Sequence, residues 1–62
     1  MRPAVDSATV RRQVSELRAA TDRLLTAVER GERAEIRAMA WAVESEAEGI
    51  AETARTLQRP RH

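Results

Sequence analysis

The chain has 62 residues, and eleven basic residues against ten acidic ones leave a formal net charge of +1. It has no cysteine, and its single histidine is His62, which excludes a disulfide framework, a thiolate metal site and an internal histidine-based metal site. A chain of this size buries only about 60% of its unfolded surface, so we expect it to need oligomers for stability.

No apolar run reaches the roughly 18 residues of a membrane span, and no charged-then-apolar leader is present. We therefore expect no membrane contact and a cytoplasmic location. All basic residues are arginine, which together with abundant alanine suggests a GC-rich bacterial genome.

The first predicted element is a helix over about residues 7–30. Asp6 or Ser7 can cap it, because a short oxygen-bearing side chain accepts from the free amides of a first turn; Pro3 is a competing start. Its apolar positions recur at spacings of four and three, typical of a heptad helix seam. The predicted core residues of this helix are Val10, Val14, Leu17, Leu24 and Val28, with Thr21 as the polar member and Ala20, Leu25 and Ala27 beside them.

Arg30 followed by Gly31 has the usual chemistry of a helix end. So short a connection predicts an antiparallel neighbour, a second helix over about residues 32–58 that ends before Pro60. The alternative is one long helix through Gly31, tolerated at about 1 kcal/mol. We predict a single all-α hairpin domain over residues 1–62, with short flexible ends at 1–6 and 59–62.

Large residues alternate with alanine along the second helix, a pattern of close-packed antiparallel helices. Its predicted core residues are Ile36, Ala40, Val43, Ala47, Ile50, Ala54 and Leu57.

A second surface of small residues surrounds the only aromatic side chain, on the other side of this helix. Its members are Ala34, Ala38, Trp41, Ala42, Ser45 and Gly49. An exposed Trp on such a face is typical of a contact surface, and we expect another copy of the chain to cover it. The alternatives are a solvent-facing alanine surface or another helical protein as partner. Two hairpins would make a homodimeric four-helix bundle; which seam faces the other hairpin stays open.

Charged residues form two groups. Glu44, Glu46, Glu48 and Glu52 make an acidic patch, and we expect inter-helix salt bridges, with Glu44 near Arg18 and Glu52 near Arg11 and Arg12. The two termini of a hairpin lie together, which predicts a basic end. Its residues, candidates for phosphate binding, are Arg2, Arg55, Arg59 and Arg61, with His62 beside them.

Two resemblances accompany these patterns. The length, the hairpin and the alternation of small and large core residues resemble the Rop family, homodimeric helical hairpins that bind paired RNA loops. Leu17, Arg18, Asp22, Leu24 and Leu25 are similar to the opening helix of the all-helical chorismate mutases.

No nucleophile–base pair or metal set can be named, so we expect no catalytic residue, no cofactor and no enzyme activity. We predict a small assembly or adaptor protein that acts through helix two, with a nucleic-acid-binding regulator as the alternative.

Overall fold

The computed structural model describes residues 6–58, which form two α-helices that pack against each other as a hairpin. Helix α1 spans Ser7–Arg30 and helix α2 spans Arg33–Gln58. The predicted all-α hairpin is confirmed, and Gly31 divides two helices rather than lying within a single long one.

Asp6 begins α1 as its N-terminal cap. Its backbone is extended, at φ −141° and ψ −177°. Its Oδ1 accepts hydrogen bonds from the Thr9 backbone N–H at 3.0 Å and from the Thr9 hydroxyl at 3.1 Å. One carboxylate therefore satisfies a free amide of the first turn, as the sequence predicts for Asp6 or Ser7.

Gly31 ends α1 in the left-handed region, at φ 68° and ψ 30°. Its N–H donates to the Val28 carbonyl at 3.1 Å, and the Glu32 N–H donates to the Ala27 carbonyl at 3.0 Å. This pair of bonds is a Schellman motif, and glycine suits it because it has no Cβ to strain at positive φ. The Glu32 carbonyl then accepts from Ile36, so α2 follows almost at once.

Small side chains set the contact between the helices. Ala20 and Ala27 are the buried residues of α1, at 9% and 1% exposure, and no residue of α2 is buried. Half-buried residues flank these contacts on both helices. They are Thr9, Val10, Gln13, Val14, Leu17 and Leu24 on α1, and Glu35, Ile36, Met39, Ala42, Val43, Glu46, Gly49, Ile50, Ala51 and Thr53 on α2.

The contact is rotated by about one residue from the predicted seams. On α1, Ala20 and Ala27 face the partner helix, while the predicted seam residues Thr21 and Val28 are exposed. Because alanine and glycine lack bulk, this face lets the two helix axes approach more closely than the face with larger residues would. The larger residues are left at the side of the contact.

The hairpin does not bury a large hydrophobic core. No described side chain larger than alanine is fully buried. Four large hydrophobic side chains of the described part are more than half exposed: Leu25, Val28, Trp41 and Leu57.

Candidate protein–protein interface

The helix pair has two broad faces, one on each side of the contact. One contains a groove with polar edges, which we call the polar groove. Its lining residues are Glu16, Ala19, Ala20, Arg23, Met39, Ala42 and Glu46. Arg23 Nη2 lies 3.1 Å from Glu35 Oε2 on this side, and it joins α1 to α2. Both side chains are well exposed, so this ion pair contributes at most about 1 kcal/mol.

The opposite face is apolar along both helices. Val10 and Val14 of α1 line a groove there with Leu57 of α2. Residues that follow at heptad spacing share this side of each helix. We call this surface the apolar face, and its residues are Val10, Val14, Thr21, Leu25, Val28, Ile36, Ala40, Ala47, Ala54 and Leu57. Thr21 is its one polar member, and the Thr21 hydroxyl donates to the Arg18 carbonyl at 2.8 Å.

The predicted core residues divide between the helix contact and the apolar face. Half-buried residues at the edge of the contact are Val10, Val14, Leu17, Leu24, Ile36, Val43 and Ile50. Exposed residues in the hairpin are Val28, Ala40, Ala47, Ala54 and Leu57. Leu25, Val28 and Leu57 are each more than half exposed. The heptad seams therefore lie on one continuous surface that the helix pair covers only along its inner edge.

The second predicted surface is split. Ala42 and Gly49 are half-buried beside α1, whereas Ala34, Ala38, Trp41 and Ser45 are exposed. Trp41 is 70% exposed, more than any other large hydrophobic side chain in the described part. Two of the six residues of the second predicted surface thus pack within the hairpin. The four that stay exposed form a patch with fewer residues than the ten of the apolar face.

The acidic residues make other ion pairs than those predicted. Arg55 Nη2 lies 3.6 Å from Glu52 Oε1 and 4.0 Å from Glu48 Oε1, within α2 itself. Among residues 6–58 no ion pair joins Glu44 to Arg18 or Glu52 to α1. The expected inter-helix pairs fail because Glu44 and Arg18 lie level but on the outer flanks of their helices, away from each other.

The basic end falls mostly outside the described residues. Arg2, Arg59 and Arg61 lie there, as does His62. Arg55 is described, and Glu48 and Glu52 accompany its guanidinium. No observation on residues 6–58 adds support for phosphate binding.

Titratable chemistry in the described part is limited. Hydrogen bonds from the Thr9 backbone N–H, and then from the Thr9 hydroxyl, lower the pKa of the Asp6 carboxyl below its ordinary value. Over residues 6–58, no group of three or more metal-ligating side chains comes together. Neither described helix has a stretch apolar and long enough to cross a bilayer.

Gln13 is a contact residue that the heptad pattern does not single out. Its Oε1 is buried and has no hydrogen-bond partner within the described part of the chain. A polar residue one position before Val14 reads as solvent-facing in the sequence. Only the rotation of the helix contact by one residue brings it inside.

The chain matches no protein-family model, and comparisons with curated proteins and with solved structures find no significant match.

Proposed function

We propose that this protein is a small, non-catalytic self-assembly module, in which two copies bury their apolar faces to form a four-helix bundle. The observation that carries the proposal is the apolar face itself. It runs along both helices and includes Leu25, Val28 and Leu57, each more than half exposed in the hairpin. Exposed apolar surfaces of this extent mark contact sites in soluble proteins.

The size of the hairpin supports the same proposal. Hydrophobic burial is the main favourable term in folding, and a single hairpin with only Ala20 and Ala27 buried obtains little of it. A second copy doubles the chain to 124 residues and gives the heptad residues a shared core. Burial of one Val or Leu side chain contributes about 1.5–3 kcal/mol, so a few such residues decide stability.

A second copy suits the apolar face for reasons of charge as well. Arginines and carboxylates both lie along its flanks, with Arg11, Arg18 and Arg37 against Asp22, Glu29 and Glu48. A surface with both signs in comparable number can be complementary to itself. As an assembly module, the protein would hold together whatever is attached to its two copies or bound to the outer faces of the bundle.

Substitution of the apolar face tests the proposal. Val28→Glu and Ala47→Glu each place a charge in the proposed core, and we expect each to convert the dimer into a monomer in sedimentation experiments. Ala38→Glu is the matched control, because Ala38 is exposed on the other side of α2. If Ala38→Glu dissociates the protein while Val28→Glu and Ala47→Glu do not, the contact lies on the Trp41 side instead.

A further inference from the structure

We propose that the two hairpins dock with their loops at opposite ends, about a two-fold axis that runs across the helices near Leu17 and Thr21. This inference rests on the proposed function and adds the geometry of the dimer. The order of large and small layers along the apolar face supports this orientation, and the charges along its edges support a second copy as the occupant.

Contacts within the hairpin fix which residues lie level. A Cβ on Gly49 would lie 3.7 Å from Gln13 Nε2, and Arg23 pairs with Glu35. In both contacts the two residue numbers add up to about 60. The same rule, applied to the apolar face and to the half-buried residues along its inner edge, gives pairs of side chains that form layers across the two helices.

These layers alternate in size along the hairpin. The large layers are Val10 with Ile50, Leu17 with Val43, and Leu24 with Ile36. The small layers are Val14 with Ala47, and Thr21 with Ala40. Protein cores pack at nearly constant density, so a large layer of one copy needs a small layer of the other opposite it.

Only one of the two symmetric face-to-face arrangements provides this match. A two-fold axis parallel to the helices keeps every residue at its own height, so each large layer meets the identical large layer, and each small layer meets the identical small one. The first contact overfills the core and the second leaves a cavity. An axis across the helices, midway between the Leu17 and Thr21 layers, sets the large Leu17 layer opposite the small Thr21 layer and the large Leu24 layer opposite the small Val14 layer.

In that arrangement α1 lies antiparallel to α1 of the second copy, with Leu17 opposite Thr21 and Leu24 opposite Val14. The charges along the edge of α1 then face opposite charges: Arg11 meets Glu29, and Arg18 meets Asp22. Arg11 lines the groove with Val10 and Val14, so it stands at the edge of the apolar face.

Helix α2 follows the same register. Ile36 lies opposite Ala47 of the second copy, and Arg37, which lines a groove with Ile36, lies opposite Glu48. The parallel-axis arrangement also brings opposite charges together, Arg11 with Glu48 and Asp22 with Arg37. The charges therefore favour a second copy as the occupant of the face, and the layers select between its two orientations.

A distance between the two loops tests the orientation directly. The chain has no cysteine, so Glu32→Cys carries a single nitroxide label in the turn, outside the apolar face. Loops at opposite ends place the two labels about 35–40 Å apart, from a rise of 1.5 Å per residue on each side of the axis. Loops at the same end place them on the order of 20 Å apart.

A dimer with the short label-to-label distance overturns the proposed orientation and leaves the proposed function intact. A protein that stays monomeric overturns both the orientation and the proposed function. A dimer with the long label-to-label distance supports the orientation and the proposed function together.

Charge exchange tests the register independently. Arg11→Glu and Glu29→Arg each set like charges opposite each other in both symmetric contacts, and we expect each variant alone to dimerise about tenfold more weakly. A mixture of the two variants restores opposite charges at both contacts, so a heterodimer should form with near-original affinity. The two residues are 18 positions apart in α1, about 27 Å, so they cannot pair within one helix.

Both substitutions also favour the helix itself, because Glu near the start and Arg near the end suit its dipole. Loss of dimer then reports on the interface and not on folding. Arg12→Glu is the matched control, one residue away and pointing from the far side of α1, and it should leave dimerisation unchanged. Failure of the mixture to recover affinity would contradict the proposed register.

Discussion

Gly49 lies against Gln13 across the hairpin, at a distance that leaves room for one methyl group: a Cβ added to Gly49 would lie 3.7 Å from Gln13 Nε2. This separation is an ordinary van der Waals contact. This part of the helix contact therefore has enough space for alanine at Gly49.

Gly49→Ala should stabilise the protein by about 0.5–1 kcal/mol, because alanine loses less backbone entropy than glycine in a helix. Urea unfolding followed by circular dichroism, at one fixed protein concentration, measures the change. Gly31→Ala is the matched control. It should destabilise by about 1 kcal/mol, because Gly31 has φ 68° and an L-residue is strained there. Destabilisation by Gly49→Ala would show that the helices are closer than described.

Gln13→Met should raise the unfolding free energy by about 1 kcal/mol. The Gln13 Oε1 atom is buried without a partner in the described part of the chain, and an unsatisfied polar atom is costly, whereas a thioether of similar shape has no such requirement. Gln13→Glu, of the same shape, should instead destabilise, because it would bury part of a charge. Equal stability of all three proteins would mean that water reaches this side chain.

Ala27→Leu should destabilise by about 1–3 kcal/mol, because Ala27 is 1% exposed and extra methyl groups overfill a close contact. Ala19→Leu is the corresponding change at an exposed position of α1, and it should alter stability by no more than about 0.5 kcal/mol. Thermal unfolding of the two variants, side by side, provides the comparison. If Ala27→Leu leaves the stability unchanged, Ala27 does not lie in the helix contact.

Asp6→Ala should lower helix content and stability at pH 7, and the difference from the original chain should become smaller in acid, where the protonated carboxyl keeps only a neutral capping oxygen. The folded-state pKa of Asp6 is lowered by its hydrogen bonds with Thr9. The charge-dependent part of the stabilisation is therefore fully present above the unfolded-state pKa and is lost as the pH falls through the lower folded-state pKa. Asp6→Asn keeps a capping oxygen without the charge, so its contribution should not vary over this range. A pH titration of helicity measures all three chains.

The local structure of the hairpin could be predicted from sequence because it depends on nearest neighbours. A capping carboxylate at Asp6 and a glycine at Gly31 determine where α1 begins and ends, and each acts within one turn. Heptad spacing likewise predicts two amphipathic helices.

The face that each helix turns towards the other could not be predicted in the same way. Neighbouring positions such as Ala20 and Thr21 differ by only about 100° around the helix, and the apolar stripe of each helix is broad enough to include both. Which of the two faces forms the contact depends on how closely the two helix backbones approach. That distance is a property of the helix pair and not of either sequence segment alone. Alanine adds to the ambiguity, because it is common both on solvent faces and in close contacts. Trp41 illustrates this limit, since the small residues near it divide between the helix contact and the surface.

Sedimentation equilibrium of the unmodified chain, over micromolar to millimolar concentrations, measures self-association without any substitution. We expect a dimer of twice the chain mass of 6.9 kDa, which dissociates only on dilution and loses helicity as it does so. A stable, folded species of 6.9 kDa throughout that range would contradict it.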